Sequence, residues 1–202
     1  TVRHMILLVE AETTVDGAPL EHDGTQVVHD LGGVGDPAQG YVAGLAGKLY
    51  GKLIAAADGT APTFFTDATS IVFDNRIPAL ESDTSTYVFA APEAGGEIQV
   101  RTRLVYRRAW RALVDAKGWV TDGQGRPLAD IAAPDFGHLM ASHELTLEAP
   151  PREAQEPGGC AGPARSDGGA FGWLVVVAIL GSGIRRRRTV QLVAHGTAEA
   201  RP

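Results

Sequence analysis

Residues 70–110 read SIVFDNRIPALESDTSTYVFAAPEAGGEIQVRTRLVYRRAW, and this stretch decides the fold. Two strand signals, residues 87–90 and 97–107, flank a Pro/Gly turn. An irregular Asp74-Asn75-Arg76-Ile77-Pro78 segment precedes them. In the second signal Ile98, Val100, Thr102, Leu104 and Tyr106 fall on one face. Gln99, Arg101, Arg103 and Arg107 fall on the other, interrupted only by Val105. A period of two marks a strand with one buried and one wet face. Working outward, residues 106–116 place Tyr106, Trp110, Leu113 and Val114 at helical spacing, so a short helix or tight turn ending before Gly118 is expected.

Upstream, residues 2–12 (VRHMILLVEAE) carry Met5, Leu7 and Val9 on one face and Ile6 and Leu8 on the other. Apolar character on both faces predicts a central strand covered on both sides. Val15-Asp16-Gly17-Ala18-Pro19 reads as a turn. Short strands are expected at 25–29, 63–65 and 70–73, and 45–56 reads as strand rather than helix. The loop at 32–40 (GGVGDPAQG) lacks the spacing of a phosphate-binding run. Leu145 and Leu147 mark a last strand before Pro150-Pro151. About seven or eight short strands with turn punctuation predict a mainly β chain, an immunoglobulin-like antiparallel β-sandwich over 1–149.

The 202 residues leave room for one core plus an appendage. Net charge is −6, unevenly spread: from Cys160 onward six arginines against Asp167 and Glu199 give +4, leaving −10 for the body. An acidic body argues against nucleic acid as a partner. Residues 150–167 are rich in Pro, Gly, Ala and Glu and read as a disordered linker. Residues 168–184 form an uncharged run of 17, followed by Arg185, Arg186, Arg187 and Arg188. That length is at the short edge for a transmembrane helix, and the arginines place their end in the cytoplasm. The expected organisation is therefore a β-domain at 1–149, a linker at 150–167, a membrane helix with its arginine cluster at 168–188 and a disordered tail at 189–202. Because the first residues already read as strand interior, we expect Thr1 to continue a longer polypeptide.

No catalytic constellation stands out. GxSxG is absent, and Asp67, Asp74 and Glu81 read as turn and capping residues. His138, Met140 and His143 make a soft-ligand set, but His4, His22, His29, His138 and His143 are better explained as strand-edge or surface residues. The single cysteine, Cys160, excludes an internal disulfide, a Cys-based zinc site and a CxxCH haem-attachment motif. Arg101, Arg103, Arg107, Arg108 and Arg111 crowd into eleven residues. They read as a solvated strand face, or as a docking patch for an acidic domain of the same polypeptide or for haem propionates.

Two resemblances follow from these motifs. Gly158-Gly159-Cys160, the spacer, the apolar span and Arg185 to Arg188 resemble the myxobacterial C-terminal sorting tail (MYXO-CTERM). The likeness implies processing or lipidation at Cys160 and attachment at the cell surface. The chain departs from that pattern by continuing through residues 189–202. The body, through RHMILLVEAE (3–12), KLYGKLI (48–54), DNRIP (74–78), TYVFAAP (86–92) and VRTRLVYRRAW (100–110), is similar to the β-rich domain C-terminal to the haem-bearing part of exported multihaem c-type cytochromes. The resemblance implies a non-catalytic domain of an envelope-anchored protein that supports electron transfer. Haem c, and haem domains as partners, are implied for the parent polypeptide only, with no cofactor or metal in these residues. An adhesion or ligand-binding module, or an accessory domain of a secreted hydrolase, is the alternative.

Overall fold

The computed structural model describes residues 2–151 and 174–176. The chain is mainly β, with antiparallel sheets and few helices. Its elements are β1 (His4–Thr13), β2 (Gly47–Tyr50), β3 (Lys52–Ala56), β4 (Ala68–Asp74), β5 (Val88–Ala90), β6 (Gly96–Arg107), α1 (Arg111–Ala116), β7 (His138–Ala149) and β8 (Leu174–Val176). The principal sheet has the order β2-β1-β6-β7, all antiparallel. β3 pairs with β4, and β5 with β8, in separate two-stranded ladders.

The central position of β1 follows from its two apolar faces. Leu7, Val9 and Ala11 pack with Tyr50, Tyr87, Phe89, Ile98 and Val100 on one side of the sheet. Ile6 and Leu8 pack on the other side with Val28, Val42, Leu49 and Trp110. Each fully buried aliphatic side chain is worth about 1.5–3 kcal/mol against exposure. One face is thus roofed by the β5 segment. The opposite face is roofed by the 28–45 loop and Trp110, which leads into α1, rather than by a second sheet of comparable size.

The register places Leu7 opposite Leu104, Glu10 opposite Arg101 and His4 opposite Arg107. The alternation in β6 is therefore real, but its even face is only half-buried at Leu104 and Tyr106. β7 is longer than its two leucines suggest and carries a bulge where Leu104 faces Ala141 and Val105 faces Leu139.

Other expectations change. The 45–56 run is strand, broken at Gly51 into β2 and β3. Residues 25–29 contribute one bridge, Val27 to Ala46, instead of a strand. No strand forms at 63–65, where Asp67 N–H closes a turn on the Phe64 carbonyl. Tyr106 belongs to β6, because strand pairing continues to Arg107 before the chain turns into α1.

From 150–167 only the two prolines are described, and Cys160, Arg185 to Arg188 and the 189–202 tail lie outside the described residues. Three residues of the 168–184 span, Leu174–Val176, are described, as β8 paired with β5, and the rest of the expected membrane helix lies outside the described residues. Among the described residues no helix is long and apolar enough to cross a membrane.

Candidate functional site

The five clustered arginines are the natural starting point, and the fold separates them. Arg101 Nε pairs with Glu144 Oε1 at 2.8 Å on the neighbouring strand. Arg103 lies between Glu10 (3.0 Å) and Asp135 (3.4 Å). Arg108 gives both its backbone N–H (2.7 Å) and its Nε (2.9 Å) to the carboxylate of Asp130, itself buried. Arg111 is buried: Nε meets Asp115 at 3.0 Å, Nη1 donates to the Gln39 carbonyl at 3.0 Å, and the guanidinium lies 4.1 Å from the Tyr41 ring centroid.

Arg107 departs furthest from the expected wet face. It is 2% exposed, and its fork donates to three backbone carbonyls: Nε to Phe136 (2.7 Å), Nη1 to Gly32 (2.8 Å) and Nη2 to Gly40 (2.8 Å). Burial, then the nearby Arg111 charge, pushes its pKa down to about 10, so it remains charged at neutral pH. The docking patch is thus corrected: Arg107 and Arg111 turn inward to fasten the 32–40 loop, and the other three are held by carboxylates. The physical reason is that the end of β6 runs beneath that loop. The carbonyls of Gln39 and Gly40 need donors that the loop itself does not supply, and that of Gly32 has only a long bond from Val42 N–H at 3.4 Å. Val105 was the sequence signal, since an apolar residue in a wet row marks where cover begins. Gly40 (φ 82°) lets the loop close, because a Cβ there would lie 2.3 Å from the Phe136 ring.

Beside Arg107, His4 is buried and stacked on Trp110 with ring centroids 4.2 Å apart. Its Nδ1–H donates to the Val2 carbonyl at 3.1 Å, and Nε2 is buried without a partner among the described residues. Desolvation lowers its pKa to about 4. His22 packs against Tyr87 and Phe89, and His29 caps a short turn by accepting from Leu31 N–H. His138 and His143 are exposed on β7, as is Met140. Among the described residues no group of three or more His, Cys, Asp and Glu is placed to hold a metal. Cys160 is the single cysteine of the 202 residues, so they contain no CxxCH haem-attachment motif.

A polar cluster that the sequence did not reveal is built on Lys48 and Tyr50 of β2. Asp83 Oδ2 accepts from Lys48 Nζ (2.8 Å), Tyr50 OH (2.8 Å) and Ser85 Oγ (3.3 Å). Burial opposes ionisation of Asp83, but the bonds from Lys48 and Tyr50 outweigh it and hold the carboxyl below its usual range. Burial and the Asp83 bond raise the Tyr50 phenol, and burial pushes Tyr87 up to about 12. Asn75 works alongside: its Oδ1 accepts from Gly51 N–H (2.8 Å) and its Nδ2 donates to the Leu49 carbonyl (2.6 Å). Asn75 of the DNRIP segment thus straps the free edge of β2, and Asp83 holds the Lys48 and Tyr50 side chains. The only hint in the sequence was the irregular polar run itself.

The opposite half of the sheet surface carries a shallow groove of about 190 Å³ lined by Glu10, Ala11, Glu12, Pro19, Gln99 and Arg101. Ligand pockets usually begin near 300 Å³.

No family model and no curated protein matches this chain. Among solved structures it is similar to a penta-haem cytochrome c552 from Thermochromatium tepidum, with a TM-score of 0.39 and 20% identity. The match covers 72% of this chain and 31% of that one, so the chain spans less than a third of the cytochrome's length. The likeness is distant, and it is to a multihaem cytochrome.

Proposed function

We propose that residues 1–149 are a non-catalytic β-domain of a larger exported, cytochrome-like protein. The domain supports haem-bearing parts that lie elsewhere in the same polypeptide. The observation that carries this reading is the use made of the charged groups. Arg107, Arg111, Asp83 and Asp130 all bind the domain's own loops and strands, which is the chemistry of a rigid support. The sequence resemblance supplies the haem context.

The coding sequence upstream of Thr1 tests it directly. Several CxxCH motifs are expected there; a catalytic signature or a series of repeated sandwich modules would replace the reading with a hydrolase or an adhesin. The purified 202-residue chain should show no haem absorbance that survives denaturation. We place the protein at the cell envelope, held through 168–184 and Arg185 to Arg188, with Cys160 as the processing or lipid-attachment point. Mass spectrometry of envelope-associated protein should find the chain cut or modified near Cys160; an intact tail through Pro202 would remove the sorting proposal.

A further inference from the structure

The principal sheet treats its two edges differently. The outer side of β2 is strapped by Asn75, bonded to Gly51 N–H and the Leu49 carbonyl, and by the Gln26 carbonyl, which accepts from Gly47 N–H. β7 is the other edge strand, running twelve residues, and among the described residues nothing pairs with its outer side. A long open edge offers a row of backbone donors and acceptors to another extended chain. The bulge near Met140 interrupts this row, leaving residues 141–149 as the regular part.

We infer that this edge accepts an extended peptide in which basic and aliphatic residues alternate. β6 already shows what β7 takes on its inner side. Arg101 sits opposite Glu144 and pairs with it at 2.8 Å, Val100 faces Leu145, and Ile98 faces Leu147. The same side chains of β7 are available to a strand on its outer side. Glu144 and Glu148 are exposed on one face, and Leu145 and Leu147 are half-buried on the other. Glu148 is a strong determinant because its neighbour across the ladder is Glu97, a like charge that a cation on the outer strand would relieve. The same charges disfavour a second copy, since two β7 strands side by side would gather four carboxylates from Glu144 and Glu148 on one face.

The probe is a labelled decapeptide in which lysine and threonine alternate with valine, added to the complete 202-residue chain. Saturable binding by fluorescence anisotropy is expected, weakened by salt. Backbone amide shifts should map to 141–149, with at least a tenfold preference over the peptide carrying glutamate for lysine. A fully N-methylated version should not bind, because it has no N–H to add to the ladder. Glu148→Lys removes the like-charge pair with Glu97 and should fold normally while binding the lysine peptide about three- to fivefold more weakly. The inference is overturned by absence of binding, by equal binding of the glutamate or N-methylated peptide, or by an unchanged affinity in E148K. It is also overturned if the free chain sediments as a dimer with its 141–149 amides already protected. None of these outcomes depends on haem upstream, so the two proposals fail independently.

Discussion

Replacing Arg107 by methionine removes a buried cation while keeping most of its aliphatic volume. The carbonyls of Gly40 and Phe136 then lose their donor, while that of Gly32 keeps a longer bond from Val42 N–H at 3.4 Å. A buried acceptor left without a partner costs roughly 1–3 kcal/mol. Both belong to loop segments that can lean toward water, so the low end applies, and with the weakened bonding at Gly32 the gross loss is about 2–5 kcal/mol. Some is returned, because the folded state no longer holds a desolvated guanidinium, whose burial already pushes its pKa down to about 10. The net destabilisation expected is about 1–3 kcal/mol. With a urea slope near 2 kcal/mol per molar, the unfolding midpoint should fall by about 0.5–1.5 M. Arg107→Lys should lie between, since one ammonium cannot span three acceptors as a planar fork does. Amide exchange at 29–44 should accelerate in both variants. If Arg107→Met unfolds within about 0.5 kcal/mol of the parent and exchange in that loop is unchanged, the loop is held by something else and the reasoning fails.

Three further predictions concern the same scaffold. His4 has a folded pKa near 4, below the unfolded value of 6.5. Its neutral form is therefore favoured by folding, and the associated stability is complete above pH 6.5 and lost as pH falls toward 4; between pH 6.5 and 5 the loss is about 2 kcal/mol. His22 shifts in the same direction, Arg107 and Asp130 are the charges nearest His4, and His4→Phe should flatten the urea-midpoint profile over that interval; an unchanged slope would refute the assignment. Asp83→Ala frees Lys48, Tyr50 and Ser85 and should cost about 1–3 kcal/mol, with protease cleavage appearing first in 75–86. Asn75→Ala removes the bonds to Gly51 and Leu49 and should cost about 1–3 kcal/mol with faster exchange at Gly51, whereas Arg76→Ala, which breaks only an exposed pair with Asp74, should cost less than about 1 kcal/mol.

Local pattern determined the long strands of the principal sheet and which of them lies inside it, though not the strands expected at 25–29 and 63–65, which do not form. β1 is apolar at both odd and even positions, and a strand so built is stable only with cover on both sides, whatever supplies that cover. The alternation in β6, the helical turn before Gly118 and the break at Asp16-Gly17 were legible for the same reason, because each depends on neighbours a few residues away. What covers a face is set by chain far off in sequence, and there the pattern is silent. A period of two puts Arg107 on the same face as Arg101, yet Arg101 meets water and Glu144 while Arg107 lies under a loop 67 to 75 residues upstream, bonded to its carbonyls. Asp83 likewise reads as one more acidic loop residue until the fold brings Lys48 and Tyr50 to it from β2. Tertiary structure also decided which edge of the sheet is strapped and which is open. Edges exist only once strands are ordered side by side, and the order β2-β1-β6-β7 joins strands separated by most of the domain.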